Sequence, residues 1–238
     1  QGRKEGGLDA LPKTVEIPAV ERATKPKMLL AGVRIGIARD AAFSFIYRAN
    51  TELLLAMGSE LHYFSPLEDS ELPPADALWL PGGYPELHGN TLAENTAMAN
   101  AIRAFHNEGK PILAECGGLM ACAEELSDKE GRVHSLYGLI PGRAAMAKRL
   151  QGIGMHSLKA EQGELRGHTF HRSTLNTTWQ PAAHTQKQAG TGSEAVFSKN
   201  ALVASYFHGY FPSAPELVAA IFRGETLTFP GYSENDHS

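Results

Sequence analysis

Cysteine is scarce in this chain: 238 residues hold two, Cys116 and Cys122. Two cysteines cannot build a disulfide framework, so the chain suits a reducing compartment and a cytoplasmic location is expected. Long apolar runs are missing as well. The dense stretch Leu53-Leu54-Leu55-Ala56-Met57 falls far short of the roughly 20 residues that span a bilayer, so no membrane partner is expected. There is no basic excess either: 22 Lys and Arg stand against 26 Asp and Glu, a formal charge of −4, which argues against phosphate neutralisation and nucleic-acid binding. No Cys-x-x-Cys pair and no His-x-x-x-His pair occurs, so no metal site is expected. What remains, at 42% hydrophobic and 20% charged, is ordinary globular composition with enough apolar material for a sizeable core.

Residues 1–27 carry glycine, proline and scattered charges with no apolar signal-peptide core and no sustained period, and read as an interdomain linker. Residues 225–238 read as a flexible tail, leaving a folded domain over residues 28–224. Residues 33–38 form a β-branched run. They precede a helical stripe at Phe43, Ile46, Tyr47, Asn50, Leu53, Leu54 and Met57 that Gly58 closes. Residues 60–64, 77–80 and 111–114 read as further strands, with a helix through Met98, Ala101, Ile102 and Phe105 between the last two. Repeated βα units predict a mostly parallel sheet with helices on both faces and ligands beyond the carboxyl ends of the strands. Past Ser157 strand candidates dominate (164–173 and 195–206) before a last helix at 215–222, so the second half should be richer in β structure.

Chemistry concentrates at strand ends. Cys116, in Ala114-Glu115-Cys116-Gly117-Gly118, follows a buried strand and precedes an apparent helix at 119–126, the small-x-nucleophile-x-small pattern of a nucleophile elbow. At a helix N-terminus a thiol is expected to favour its thiolate. The alternative is a buried structural cysteine, which is the reading preferred for Cys122 between Ala121 and Ala123. A cysteine nucleophile needs a base, and His208 in Ser205-Tyr206-Phe207-His208 is the best candidate, against a histidine kept for packing among aromatics. Gly82-Gly83 ends another strand, where paired glycines can offer N–H groups to an oxyanion or simply make a tight turn. In Gly167-His168-Thr169-Phe170-His171, strand alternation puts His168 and Phe170 on one face and Thr169 and His171 on the other, so one histidine packs and the other lines a pocket or is exposed.

Four strings in order, Gly82-Gly83-Tyr84-Pro85-Glu86-Leu87-His88, Ala114-Glu115-Cys116-Gly117-Gly118, Gly167-His168-Thr169-Phe170-His171-Arg172-Ser173 and Ser205-Tyr206-Phe207-His208, together with Ala38-Arg39-Asp40-Ala41-Ala42-Phe43-Ser44-Phe45-Ile46-Tyr47, resemble the glutaminase domains of the cobyrinic acid a,c-diamide synthase family from about Leu30 to about Arg223. The resemblance implies an α/β fold of the class I glutamine amidotransferase (flavodoxin-like) type. It implies glutamine as nitrogen donor, Cys116 as nucleophile, His208 as its base, an oxyanion hole at Gly83 and Gly117, and substrate contacts from Tyr84, His168 and His171. Ammonia would then amidate the a and c acetate side chains of a corrinoid, the partner substrate of the full enzyme, in cobalamin synthesis. The family carries an N-terminal synthetase domain that uses ATP and Mg2+. No Gly-x-x-x-x-Gly-Lys-Ser/Thr occurs here, so no cofactor is expected in this chain and that domain is expected to be absent from it. The chain departs from the wider class at Tyr210, where many members have an acid two residues after the histidine, and at Thr169, where many relatives have Glu. The glutaminase domain of cobyric acid synthase, a stand-alone cysteine hydrolase and a catalytically silent binding domain are the competing readings.

Overall fold

The computed structural model describes residues 27–230, so the linker expected at 1–27 lies, but for its last residue, outside the described residues. Along the chain β1 (Arg34–Ala38) leads to α1 (Arg48–Ala56) and β2 (Glu60–Phe64). β3 (Ala77–Leu80) precedes α2 (Gly89–Glu94) and α3 (Thr96–Asn107), and β4 (Ile112–Glu115) precedes α4 (Gly117–Cys122). Strands then dominate: β5 (Ala123–Ser127), β6 (Val133–Ser135), β7 (Ile140–Met146), β8 (Gly152–Ala160), β9 (Gly163–His171), β10 (Ser173–Asn176), β11 (Ala183–His184), β12 (Gln186–Lys187), β13 (Ala195–Lys199), β14 (Leu202–Ser205) and β15 (His208–Gly209), before α5 (Pro215–Phe222). Among the described residues no helix is long and apolar enough to cross a membrane.

The central sheet has seven strands in the order β11-β13-β14-β4-β3-β1-β2. From β14 to β2 every pairing is parallel, while β13 and β11 close one side antiparallel. Its order β2-β1-β3-β4 is that of a flavodoxin-like doubly wound sheet. Both faces are buried, and the period of two assigns them. Leu78, Leu80, Ile112, Ala114, Leu202 and Ala204 face the core under α3 and α4. Ile35, Ile37, Ala77, Trp79, Leu113 and Val203 face the core shared with α1 and α5. Each such fully buried large side chain contributes about 1.5–3 kcal/mol of transfer free energy, which explains why these strands read as unbroken apolar runs. Two further four-stranded sheets, β10-β7-β5-β6 and β12-β8-β9-β15, account for the β-rich second half.

Several boundaries differ from the sequence reading. The first helix begins at Arg48, not Phe43, because the Asp40 carboxylate takes the N–H groups of Ala42 and Phe43, and Phe45 pairs with Gly82. The helix expected at 119–126 stops at Cys122, where Ala123 turns extended and starts β5. The run 195–206 is a hairpin, turned at Asn200 and Ala201, both with positive φ. The run 164–173 splits between two sheets after His171. Packing also continues past Gly224: Phe229 is buried, and the Thr228 carbonyl accepts from Glu161 N–H, so residues 225–230 are part of the fold and not a flexible tail.

β15 joins the third sheet through His208 opposite His168 and Gly209 opposite Gly167. A Cβ at Gly167 would lie 1.9 Å from the His208 carbonyl oxygen, so only glycine admits this pairing. Gly167→Ala should therefore destabilise the fold by about 3 kcal/mol or more, since backbone and not a flexible side chain would have to move. Chemical denaturation checks this, with Glu164→Ala, exposed on the same strand, as the mild control.

Candidate active site

The loops at the carboxyl ends of β1, β3, β4 and β14 meet above the sheet. Cys116, directly after β4, has φ 47° and ψ −99°. This is a conformation that costs an L-residue of order 1–3 kcal/mol and persists only where its surroundings impose it. They do so here: Cys116 N–H donates to the Ser205 carbonyl at 2.8 Å, and its own carbonyl accepts from Met120 N–H at 3.0 Å. The turn also needs a residue without Cβ behind it, because a Cβ at Gly118 would sit 2.0 Å from the Leu80 carbonyl oxygen. That is the elbow expected from the sequence, built from β4 and the start of α4.

Gly82 and Gly83 follow β3. Ser44 and Phe45 N–H groups donate to the Gly82 carbonyl, and Tyr84 N–H donates to the Ala42 carbonyl, so the loop after β1 clasps the glycine turn. A Cβ on Gly117 would lie 2.8 Å from Gly83 N, which places the two expected oxyanion glycines against each other beside Cys116. His208 is buried and packs on the same turn, where a Cβ on Gly82 would lie 2.3 Å from its ring. The His208 ring also stacks on His168 at 5.0 Å between centroids and meets Phe45 edge-on at 5.9 Å. The fold thus gathers Cys116, His208, Gly83, Gly117 and His168 at one edge.

The two histidines of β9 part as alternation predicts. His168 lines an open pocket of about 410 Å³ with Phe45, Tyr47, Met155, Phe170 and His208, and its Nε2 lies 3.3 Å from the Tyr47 hydroxyl. His171 is buried with both ring nitrogens engaged, Nδ1 2.9 Å from the Ser173 carbonyl and Nε2 3.1 Å from Glu194, and its ring stacks on Tyr206 at 3.9 Å. Tyr84 stands half exposed against Phe45. Thr169 is buried near His156. Cys122 is fully buried in the core.

The CobB/CobQ-like glutamine amidotransferase domain model matches residues 34–216. The chain belongs to that family. This amidotransferase domain is 51% identical over 205 residues to a cobyrinate a,c-diamide synthase of Herminiimonas arsenicoxydans, covering 85% of the chain and 47% of that protein. It is 49% identical over 211 residues to a hydrogenobyrinate a,c-diamide synthase of Pseudomonas aeruginosa, covering 88% and 48%. The chain spans about half the length of the curated relatives it matches. A crystal structure of a glutamine amidotransferase superposes with a TM-score of 0.55 at 18% identity, over 80% of this chain and 97% of that one, which supports the shared fold.

Electrostatics of the amidotransferase site correct one expectation. Burial, then the nearby acidic groups Glu86, Glu115 and Glu194, push the Cys116 thiol up to about 12 against the Gly117 N–H that lowers it. Burial, then His168 and His171, press His208 down to about 4. In the free domain the pair is therefore a neutral thiol and a neutral imidazole, not a ready thiolate, because a low-dielectric site penalises both charged forms. The sequence reading also passed over the acidic residues near the cysteine. Glu86 is buried after the glycine turn, its carboxyl raised by burial and answered by its own backbone N–H, and its charge raises the Cys116 thiol; the Pro-Glu-Leu-His string held it, but only the fold brings it near Cys116.

Because His208 binds its proton less tightly folded than unfolded, the unfolded chain takes up more protons between about pH 6.5 and about pH 4, and stability from this group is lost as pH falls through that window. Glu115, raised to about 7 by burial, acts with the opposite sign, so the parent's own pH profile mixes the two. His208→Asn removes only the first. Relative to the parent, the variant should gain about 2 kcal/mol between about pH 7 and about pH 5, read from urea unfolding at each pH.

Proposed function

We propose that this domain is the glutaminase half of an amido-ligase that uses glutamine-derived ammonia to amidate the a and c carboxylates of cobyrinic or hydrogenobyrinic acid. The observation that carries the reading is the strained Cys116 turn set against the Gly82-Gly83 turn with the buried His208 beside it. In this reading glutamine binds with its carboxamide at Cys116 and its α-ammonium toward Glu86, with Tyr84 and His168 on the entry side. His208 takes the thiol proton as sulfur attacks the carboxamide carbon. The oxyanion is held by the N–H groups of Gly83 and Gly117, a contribution typically worth a few kcal/mol. Collapse breaks the C–N bond while His208 returns the proton to departing ammonia, and water hydrolyses the glutamyl thioester to glutamate. ATP and Mg2+ belong, in this reading, to a synthetase half outside this chain. The relatives at about half identity carry the a,c-diamide synthase name, which favours this assignment over cobyric acid synthase.

Phe45, Tyr47, Met155 and Phe170, all exposed, rim the pocket that His208 and His168 line. An apolar rim around the buried His208 suits a face covered by another domain, and the relatives' other half is the partner assigned to it. Ammonia released beneath such a cover stays out of bulk water.

In the full-length protein, Cys116→Ala should abolish glutamine-dependent amidation while amidation with added ammonium survives; loss of both in a folded protein would contradict the division of labour. A second variant tests the rim. Phe170→Asp should leave glutamine hydrolysis within about threefold of the parent but cut the amide formed per glutamine consumed about tenfold or more, the size expected when a charge replaces a central apolar contact. Unchanged coupling would remove this face from the interface.

A further inference from the structure

His208 carries no carboxylate on its ring. Tyr210, two residues on, is half exposed, and the buried Nδ1 of His208 has no hydrogen-bond partner. The peptide that follows the histidine, by contrast, is gripped on both sides. Gly209 N–H donates to Glu115 Oε1 at 2.8 Å, and the Gly209 carbonyl accepts from Asn50 Nδ2 at 2.8 Å. Asn50 Oδ1 in turn accepts from Phe211 N–H at 2.9 Å, and Glu115 Oε2 accepts from Trp79 Nε1 at 2.8 Å. All three side chains are buried, and they come from α1, β3 and β4.

We infer that Glu115 and Asn50 are positioning residues for the glutaminase reaction: they fix the Gly209 peptide, and through the backbone the His208 ring, in place of an acid on the ring itself. Glu115 immediately precedes Cys116, so one carboxylate ties the strand of the nucleophile to the strand of the base across 94 positions of sequence. With the backbone held, the pairing of His208 with His168 and the stacking of their rings leave the imidazole one direction to point. Buried polar groups engaged on every side are the ones that specify a single geometry.

The donor pattern makes the inference testable. Glu115 receives two N–H donors, one on each oxygen. Gln has one oxygen and one NH2 group, so in Glu115→Gln one donor faces another donor, and Trp79→Phe removes that conflict. The inference rests on the glutaminase reading, and steady-state glutamine hydrolysis by the full-length protein separates the two. Rates are normalised to folded protein by near-UV circular dichroism. Glu115→Gln should lower kcat about tenfold or more with KM changed less than about threefold, since proton transfer and not binding depends on the ring. Adding Trp79→Phe should restore kcat several-fold. A merely structural role would make the double variant worse than either single one and would not split kcat from KM.

An active parent with Glu115→Gln at the parental kcat, or with a double variant slower than Glu115→Gln, overturns the positioning role alone. A folded parent with no glutamine hydrolysis overturns the glutaminase reading beneath it. If Glu115→Gln does not fold, the double variant is set against Trp79→Phe. A kcat within about threefold supports the role, because Gln still accepts from Gly209, and a folded double variant about tenfold slower overturns it.

Discussion

Backbone packed directly on backbone at the carboxyl edge of the central sheet is the constraint on which the site depends. The elbow carrying Cys116 rests on the Leu80 carbonyl, the glycine turn rests on the Ala42 carbonyl, and β9 rests on the His208 carbonyl, each at a separation that excludes a Cβ. Contacts this close leave no slack, because a protein interior transmits a displacement instead of absorbing it. The positive φ of Cys116 is sustained by that crowding, with Ser205 and Met120 closing hydrogen bonds on either side. A strained cysteine is thus held by elements that are themselves ordinary strands and turns.

The same crowding sets the charge state. Water is excluded from Cys116 and His208, and burial is the largest cause of both shifts. A neutral thiol beside a neutral imidazole keeps the free site quiet, since the thiolate is the reactive form. The nearby acidic groups Glu86, Glu115 and Glu194 add to the effect. Low dielectric, small neighbours and acidic surroundings form one arrangement.

Around this rigid centre the surface changes character. The second and third sheets, absent from a minimal flavodoxin-like fold, bring β8 and β9 up beside the elbow, with Met155 and Phe170 exposed and His168 at the pocket. In the proposed reading that apolar rim is the face on which the relatives' other half would pack, since an exposed apolar patch of this kind marks an interaction site.

The sequence by itself determined the elements whose signals are local. Apolar runs marked β1, β3 and β4, the stripe from Met98 to Phe105 marked α3, Pro215 opened α5, and small residues flanking Cys116 marked the elbow. Period-two alternation put His168 and His171 on opposite faces, because a strand's faces follow from covalent geometry alone, but which of the two is packed was left to the fold. The strings around Gly83, Cys116 and His208 also gave the family, which the match over residues 34–216 shows. Decided only by the tertiary structure were the features in which distant segments compete for the same backbone groups. Asp40 takes the amides that the first helix would have used, Phe229 finds a core after an apparent end, and burial reverses the expected charge of Cys116. Glu115 and Asn50 read as an unremarked acid before the nucleophile and a polar residue in a helical stripe. Their meaning lies in hydrogen bonds to Gly209, 94 and 159 positions away, and no local pattern encodes a partner that only folding brings near.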